Sequence, residues 1–342
     1  MRCFLRSSAK QSIRNHRSNP GLFVAIVVFS LTTLVLSVFG LMMVFSSSYV
    51  EAISNGQKAF SYVIKQLLFI FLGLLFALLI IFKISTRLMR GKLLFLVFVL
   101  LMLLFALVFV IGDNVLGAKR WFYIGPVSVQ PSEFMKIVVI LYTAALVCNF
   151  RIENEHPAWF SAKIFIFVVL PTAWILVLQK DMGSAIIIVV GCIVCLWLRG
   201  ISKKIILVVA LVCLMLGAVA IITSPHRLAR VLALISPEQY AEEGGYQLIR
   251  SKYAMAGGGF FGLGIGNSHE KFQYLPEAET DFIFAIIVEE TGVLGAVLVL
   301  TGFFVLLASG LYIAACSNDQ FSKAVAASLV IMLVFKALLK IA

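Results

Sequence analysis

The residues best placed to do chemistry lie between Tyr274 and Glu290, where a long polar stretch runs into an apolar helix. Glu277, Glu279 and Asp281 stand immediately before that helix, and Glu289 and Glu290 stand inside it. Ionised groups at membrane depth are costly and are usually kept for function. At about 1.5 Å per residue, Glu289 lies roughly 12 Å further along the helix than Asp281. A carboxylate at the rim of a membrane cavity, with more acid below it, can take a proton from a substrate. Asp281 is therefore the candidate catalytic base, with Glu277 beside it as a substrate contact.

A second polar segment runs from Gly117 to Lys136. Lys119 and Arg120 are cations beside the rings of Trp121, Phe122 and Tyr123. Such a group can anchor the chain at a membrane interface. It can equally clamp a lipid-linked anion, with cations on phosphate and rings on acyl chain or sugar. Pro131-Ser132-Glu133 reads as a helix start with Ser132 as N-cap. Lys136 then enters an apolar helix, where it can pair with Glu133 at i, i+3 or face an interior cavity. Asp181, in the turn Gln179-Lys180-Asp181, can cap the next helix or pair with Lys136 across that cavity. Arg250 and Lys252 lie in the loop from Gly244 to Tyr253 and could reach a pyrophosphate.

The elements that must hold these residues are membrane helices. The chain is 62% hydrophobic and 13% charged, with mean hydropathy +1.06. Repeated apolar runs near the roughly 20 residues that span a bilayer make an all-α polytopic membrane protein. We expect nine spans, at about 22–45, 61–82, 93–112, 133–149, 163–178, 182–198, 204–223, 282–311 and 321–342. The span at 282–311 is long enough to tilt or protrude. The net charge of +12 sets orientation and is not a nucleic-acid footprint. Basic residues precede the first span, and Lys83, Arg87, Arg90 and Lys92 follow the second. That alternation places the segment 1–21 in the cytoplasm and loops 46–60, 113–132, 179–181 and 224–281 outside, within a single membrane domain 1–342.

Other signals carry less. Six scattered cysteines imply no disulfide framework, and Cys192 and Cys195 read as packing residues on one helix face. The glycine-rich run from Ala256 to Gly266 lacks the strand and helix of a nucleotide loop and reads as a re-entrant turn. His226 and His269 lack zinc-ligand spacing. No cofactor is implied, and any need for a divalent cation is left open.

Taken together the motifs resemble the SEDS family (shape, elongation, division and sporulation) of bacterial membrane glycosyltransferases. The resemblance rests on Gly-Ala-Lys-Arg-Trp at 117–121, Gln-Pro-Ser-Glu at 130–133 with Lys136, and Gln-x-Asp-x-Gly-Ser at 179–184. It continues with Gly-Tyr-Gln at 245–247, Tyr-Leu-Pro-Glu-Ala-x-Thr-Asp-Phe-Ile-Phe-Ala at 274–285, and Glu289-Glu290-x-Gly292. The details look more like the division-type members than the elongation-type. The resemblance implies polymerisation of lipid II at the outer face of the bacterial cytoplasmic membrane, at the division septum. Asp281 is the implied base, and Lys136 and Asp181 match polar cavity positions. A class B penicillin-binding protein and other division proteins are the implied partners.

Several positions depart from the family. Lys180 stands where Pro is usual, Glu279 where His is frequent, and Lys336 and Lys340 where Gln and Asn are usual. The family has ten helices, and this chain stops at Ala342, in or at the end of the ninth, so it reads as C-terminally truncated. A lipid II flippase and a noncatalytic scaffold are the rival functions. Lys119, Arg120, Trp121, Lys136, Asp181, Arg250 and Glu277 make up the candidate substrate-binding set.

Overall fold

The computed structural model describes residues 20–86, 88–115, 118–124, 127–149, 157–240, 245–272 and 274–341. The basic segment before Pro20, and Gly117 of the second motif, lie outside the described residues. In chain order the elements are α1 (Pro20–Ser54), α2 (Ser61–Lys83), a single turn at Leu88–Arg90, and α3 (Lys92–Ile111). Strands β1 (Asp113–Val115), β2 (Ala118–Ile124) and β3 (Val127–Val129) follow, then α4 (Pro131–Asn149). Next, α5 (Pro157–Ile164) passes through a π-turn at Phe165–Val169 into α6 (Leu170–Val177). The rest comprises α7 (Met182–Leu198), α8 (Lys203–Ile222), α9 (Pro225–Ile235), α10 (Gly245–Gly258), α11 (Ile283–Ala315) and α12 (Gln320–Ile341).

Among the described residues, α1, α2, α3, α4, α8, α11 and α12 are long and apolar enough to cross a membrane. The apolar segments Ala162–Val177 and Met182–Leu198 are shorter. The protein is an all-α multi-pass membrane protein. Its outer surface fits that solvent: α2 buries none of its residues, and Phe71, Ile81 and Phe82 point away from the protein. Lipid tails accept such a surface, whereas water would not.

Two apolar cores organise the bundle. One joins α3, α4, α7 and α12 through Phe105, Met135, Ile140, Ile188, Cys192 and Phe321. Cys192 and Cys195 are buried and unbridged there, as packing residues. The other core joins Met43 of α1, Ala254 of α10, Leu275, Ala278 and Ile286 of α11.

Several boundaries differ from the sequence reading. Helix α1 continues through Ser46-Ser47-Ser48, read above as loop, because Ser47 and Ser48 donate to the carbonyl of Val44 and Ser46 finds a buried partner. Ser132 does not cap α4: the helix begins at Pro131, the amide of Glu133 donates to Gln130 O at 3.2 Å, and Ser132 is buried. Proline suits the first helical position, which moves the cap one residue outward. The expected loop 113–132 is a β1-β2-β3 antiparallel meander, with Asp113 opposite Trp121 and Phe122 opposite Val129. The expected loop 224–281 contains α9 and α10, so Arg250 lies on a helix.

Instead of running through as one straight rod, α11 breaks at Gly292, which adopts φ 70°. The glycine-rich segment fills the break. Leu263 N and Gly264 N donate to the carbonyls of Glu289 and Glu290 at 2.9 and 3.0 Å. Val293 N donates to Gly259 O at 3.1 Å and Leu294 N to Phe260 O at 3.4 Å. Backbone groups freed by the kink are thereby satisfied, as a low-dielectric site requires. A Cβ on Gly292 would lie 2.3 Å from Phe260 O, so the approach needs glycine.

Candidate functional site

Asp281 is presented by a tight turn. Glu277 adopts φ 56°, an uncommon conformation for a residue with a side chain. Its carbonyl accepts from Thr280 N and Asp281 N at 3.1 Å and from Phe282 N at 3.2 Å. Its carboxylate accepts from Thr280 Oγ1 at 2.9 Å. Leu275 and Ala278 are buried and pin the turn to the core beneath. The Asp281 side chain remains 64% exposed and pairs with Lys340 near the end of α12.

Lys340 belongs to a line of alternating charge. Lys136, 3% exposed, pairs with Glu133 at 2.7 Å. Glu133 also accepts from Lys336 at 2.8 Å. Lys336 and Lys340 are one turn apart on α12, about 6 Å between their Cβ atoms. The line therefore runs from Lys136 through Glu133, Lys336 and Lys340 to Asp281. It carries three cations against two carboxylates.

Asp181 caps α7, accepting from Ser184 N at 3.0 Å and Ser184 Oγ at 2.7 Å. Gln130 Nε2 also donates to it, at 3.1 Å. Asp181 lies within electrostatic reach of Lys136, whose ion pair is with Glu133. Arg120 ties the meander to the turn before α7, donating to Gln179 O at 2.6 Å and Lys180 O at 2.8 Å. Lys119 donates to Val110 O at 3.0 Å, and Trp121 sits opposite Asp113. Arg250 pairs with Glu270 at 3.1 Å and lies over the Tyr274 ring, 4.7 Å from its centroid. Burial raises the Glu270 carboxyl above the ordinary carboxylate range, against the lowering effect of Arg250. The structure thus joins Lys136 and Asp281 through the charge line. The contacts of Lys119, Arg120 and Arg250 given above are with other groups.

Below the rim, Glu289 and Glu290 are buried. Glu290 accepts from Ser46 Oγ at 2.6 Å and pairs with Lys271 at 3.0 Å. Glu289 accepts from Ser268 Oγ at 2.5 Å and His269 N at 2.8 Å. Lys271 also donates to Gly266 O. These contacts clasp α1, the glycine-rich segment and α11 together. A further clasp joins Glu279 to Glu51 of α1. Burial first, then the hydrogen bond to Glu51, pushes the Glu279 carboxyl up to about 7.

Sequence reasoning did not assign Lys336, Lys340, Lys271, Ser46 or Glu51 to any site. The signal for the first two was present, as charges in an otherwise apolar helix. The others needed a partner that only the fold supplies. Among the described residues no three His, Cys, Asp or Glu side chains are grouped to hold a metal ion.

The chain is similar to known proteins in sequence and in fold. The chain is 33% identical over 319 residues to a probable peptidoglycan glycosyltransferase FtsW of Trichlorobacter lovleyi, covering 92% of this chain and 83% of the relative. It is 37% identical over 308 residues to a probable peptidoglycan glycosyltransferase FtsW of Bacillus subtilis, covering 84% and 74%. Stage V sporulation protein E of Bacillus subtilis is 32% identical over 332 residues, covering 95% and 87%. A peptidoglycan synthase complex, described for its coordination of polymerization and crosslinking, matches with TM-score 0.68 at 24% identity, covering 93% of this chain and 87% of that one. Rod shape determining protein RodA of Thermus thermophilus matches with TM-score 0.56 at 24% identity, covering 88% and 82%. The family of FtsW, RodA and SpoVE, described as cell cycle protein, matches residues 26–342, and the chain belongs to it.

Proposed function

We propose that this protein is a peptidoglycan glycosyltransferase that polymerises lipid II during cell division. The rim carrying Asp281 faces the outside of the cytoplasmic membrane, at the septum. A class B penicillin-binding protein and other division proteins are its partners. The observation that carries the reading is a mostly exposed carboxylate at the head of a membrane helix, paired with Lys340 at the end of a line of alternating charge.

In this reaction the 4-hydroxyl of the acceptor sugar attacks the anomeric carbon of a lipid-pyrophosphate-linked donor. Asp281 takes the hydroxyl proton as the new C–O bond forms. The bond from the anomeric carbon to the phosphate oxygen breaks, and the lipid pyrophosphate leaves with the electron pair. Cations nearby offset its charge. A positioned general base contributes about 10²–10⁴-fold to such a step. Glu277 shapes the turn that aims Asp281, and Lys136 fixes the charge of Glu133.

The test is purified protein in liposomes with fluorescent lipid II, with and without the penicillin-binding protein. Glycan polymer is the expected product. Leaflet exchange of lipid II without polymer, or neither, overturns the reading in favour of a flippase or a scaffold.

A further inference from the structure

At the opposite end of α11 from Asp281, four parts of the chain converge: the turn at Leu88–Arg90, the end of α4, the turn after α7 and the turn before α12. Met89, Cys148, Ile201 and Phe321, one from each, pack in the same apolar core. Arg90 pairs with Asp319 and lies over the Phe321 ring, 4.4 Å from its centroid. Asp319 is committed further, accepting from Ser322 N at 3.1 Å and Ser322 Oγ at 2.7 Å. Arg199 and Arg90 both stand within electrostatic reach of Cys148. The Nε–H of each arginine is buried and has no acceptor. A buried charged donor left unpaired is costly, so this place is short of an anion. We propose that Arg90 and Arg199 bind the phosphate headgroup of an anionic phospholipid of the cytoplasmic leaflet.

The ligand class follows from charge, shape and place. Among the described residues of segments 83–92, 199–204 and 316–320, Lys83, Arg90, Lys92, Arg199, Lys203 and Lys204 stand against a single carboxylate, Asp319. The planar fork of a guanidinium matches two oxygens of one phosphate. Both arginines lie at the ends of membrane helices, the level at which lipid headgroups sit. Leu88, Leu93 and Trp197, each within three residues of one arginine, expose apolar side chains. A soluble anion would use the cations alone, whereas a phospholipid also covers the apolar rim with its acyl chains. Basic pockets between helices on the cytoplasmic side suit such headgroups, and the charge pattern assigns these turns to that side. A headgroup with two phosphates can meet both guanidiniums. The 33 residues of α11 separate this place from the Asp281 turn, and the inference does not rest on the glycosyltransferase reading.

The experiment titrates the full chain in detergent with cardiolipin, a phospholipid with two phosphates, and reads the affinity of the first bound lipid by native mass spectrometry. Cardiolipin should bind more tightly than zwitterionic phosphatidylcholine. Arg199→Gln should weaken cardiolipin about tenfold, as loss of a charge-assisted hydrogen bond does, with an unchanged melting temperature. Lys203→Gln, which removes an exposed cation of the same face, should leave the affinity as it was. Arg90→Gln combined with Asp319→Asn removes both members of the ion pair and should also weaken binding about tenfold. That pair of substitutions keeps the test open if Arg199→Gln fails to fold. Undiminished cardiolipin binding by folded Arg199→Gln protein, or by the folded double variant, overturns the proposal. An equal loss in Lys203→Gln overturns it too, because the lipid would then be held by a diffuse basic surface. Equal affinity for phosphatidylcholine, or displacement of cardiolipin by equimolar inorganic phosphate, overturns it in favour of a nonspecific lipid contact or a free-anion site.

Discussion

Helix α11 and the turn before it carry two kinds of carboxylate, eight residues apart along the chain. Glu289 and Glu290 are buried among donors from α1 and the glycine-rich segment. Asp281 is mostly exposed and held by one flexible lysine. All three are acids in an apolar setting, and cost alone does not separate them. Partnership does. A carboxylate buried and held by serines, amides and an ammonium is structural glue, even though Glu290 Oε2 itself has no hydrogen-bond partner. One with a single displaceable counter-ion at a rim has capacity left for substrate.

The sharpest way to break this contrast is to remove the glue. Losing one partner of a buried ion pair strands the other charge, at a cost of about 3–5 kcal/mol. Glu290→Ala should destabilise the protein by that order. Thermal unfolding in detergent would record it, and limited proteolysis should cut the 259–272 segment faster. Pairing Glu290→Leu with Lys271→Met should recover much of the loss, as a double-mutant cycle would reveal. An unchanged melt in Glu290→Ala would mean that the clasp contributes nothing.

A smaller effect is expected from the backbone that sets the clasp. Gly292→Ala places a methyl against Phe260 O at positive φ. Strain of this kind costs about 1–3 kcal/mol. Proteolysis of the glycine-rich segment should rise, with the bundle otherwise intact. Normal protection would show that the break in α11 does not depend on glycine.

The smallest effect lies between the two regions, at Glu279. Its carboxyl titrates at about 7 in the folded protein, against an ordinary 4.5. Protonation thus favours the clasp to Glu51. Its contribution is complete below the ordinary value and is lost as pH rises through about 7. The protection factor for amide exchange over 274–282, with the intrinsic base-catalysed rise divided out, should fall between pH 6 and pH 8, and Glu279→Gln should flatten that fall. A pH-independent protection factor in the unmodified protein would remove the clasp from the account.

Hydropathy made the membrane helices legible, because a span must be apolar along its length whatever it packs against. The place of Asp281 in an acidic turn at a helix head was also legible, since such a turn can be read locally. Its surroundings were not. Ser46 is 244 residues from Glu290 and Lys340 is 59 from Asp281, and no local period reports such pairs. The serine run at 46–48 looked like a loop because polar residues usually end a span. Here one of them satisfies a buried acid. The meander at 113–129 was hidden by its short strands, and the kink at Gly292 by the uninterrupted apolar run around it.

Asp281→Asn and Glu289→Gln, compared side by side for folding and for lipid II polymerisation, test the division of labour most directly. The account predicts that Asp281→Asn melts like the unmodified protein and polymerises about 10²–10⁴-fold more slowly. Glu289→Gln should lower the melting temperature with far less effect on the rate per folded molecule. Polymerisation at the unmodified rate by folded Asp281→Asn protein would contradict the account, because the exposed acid would then not be the base.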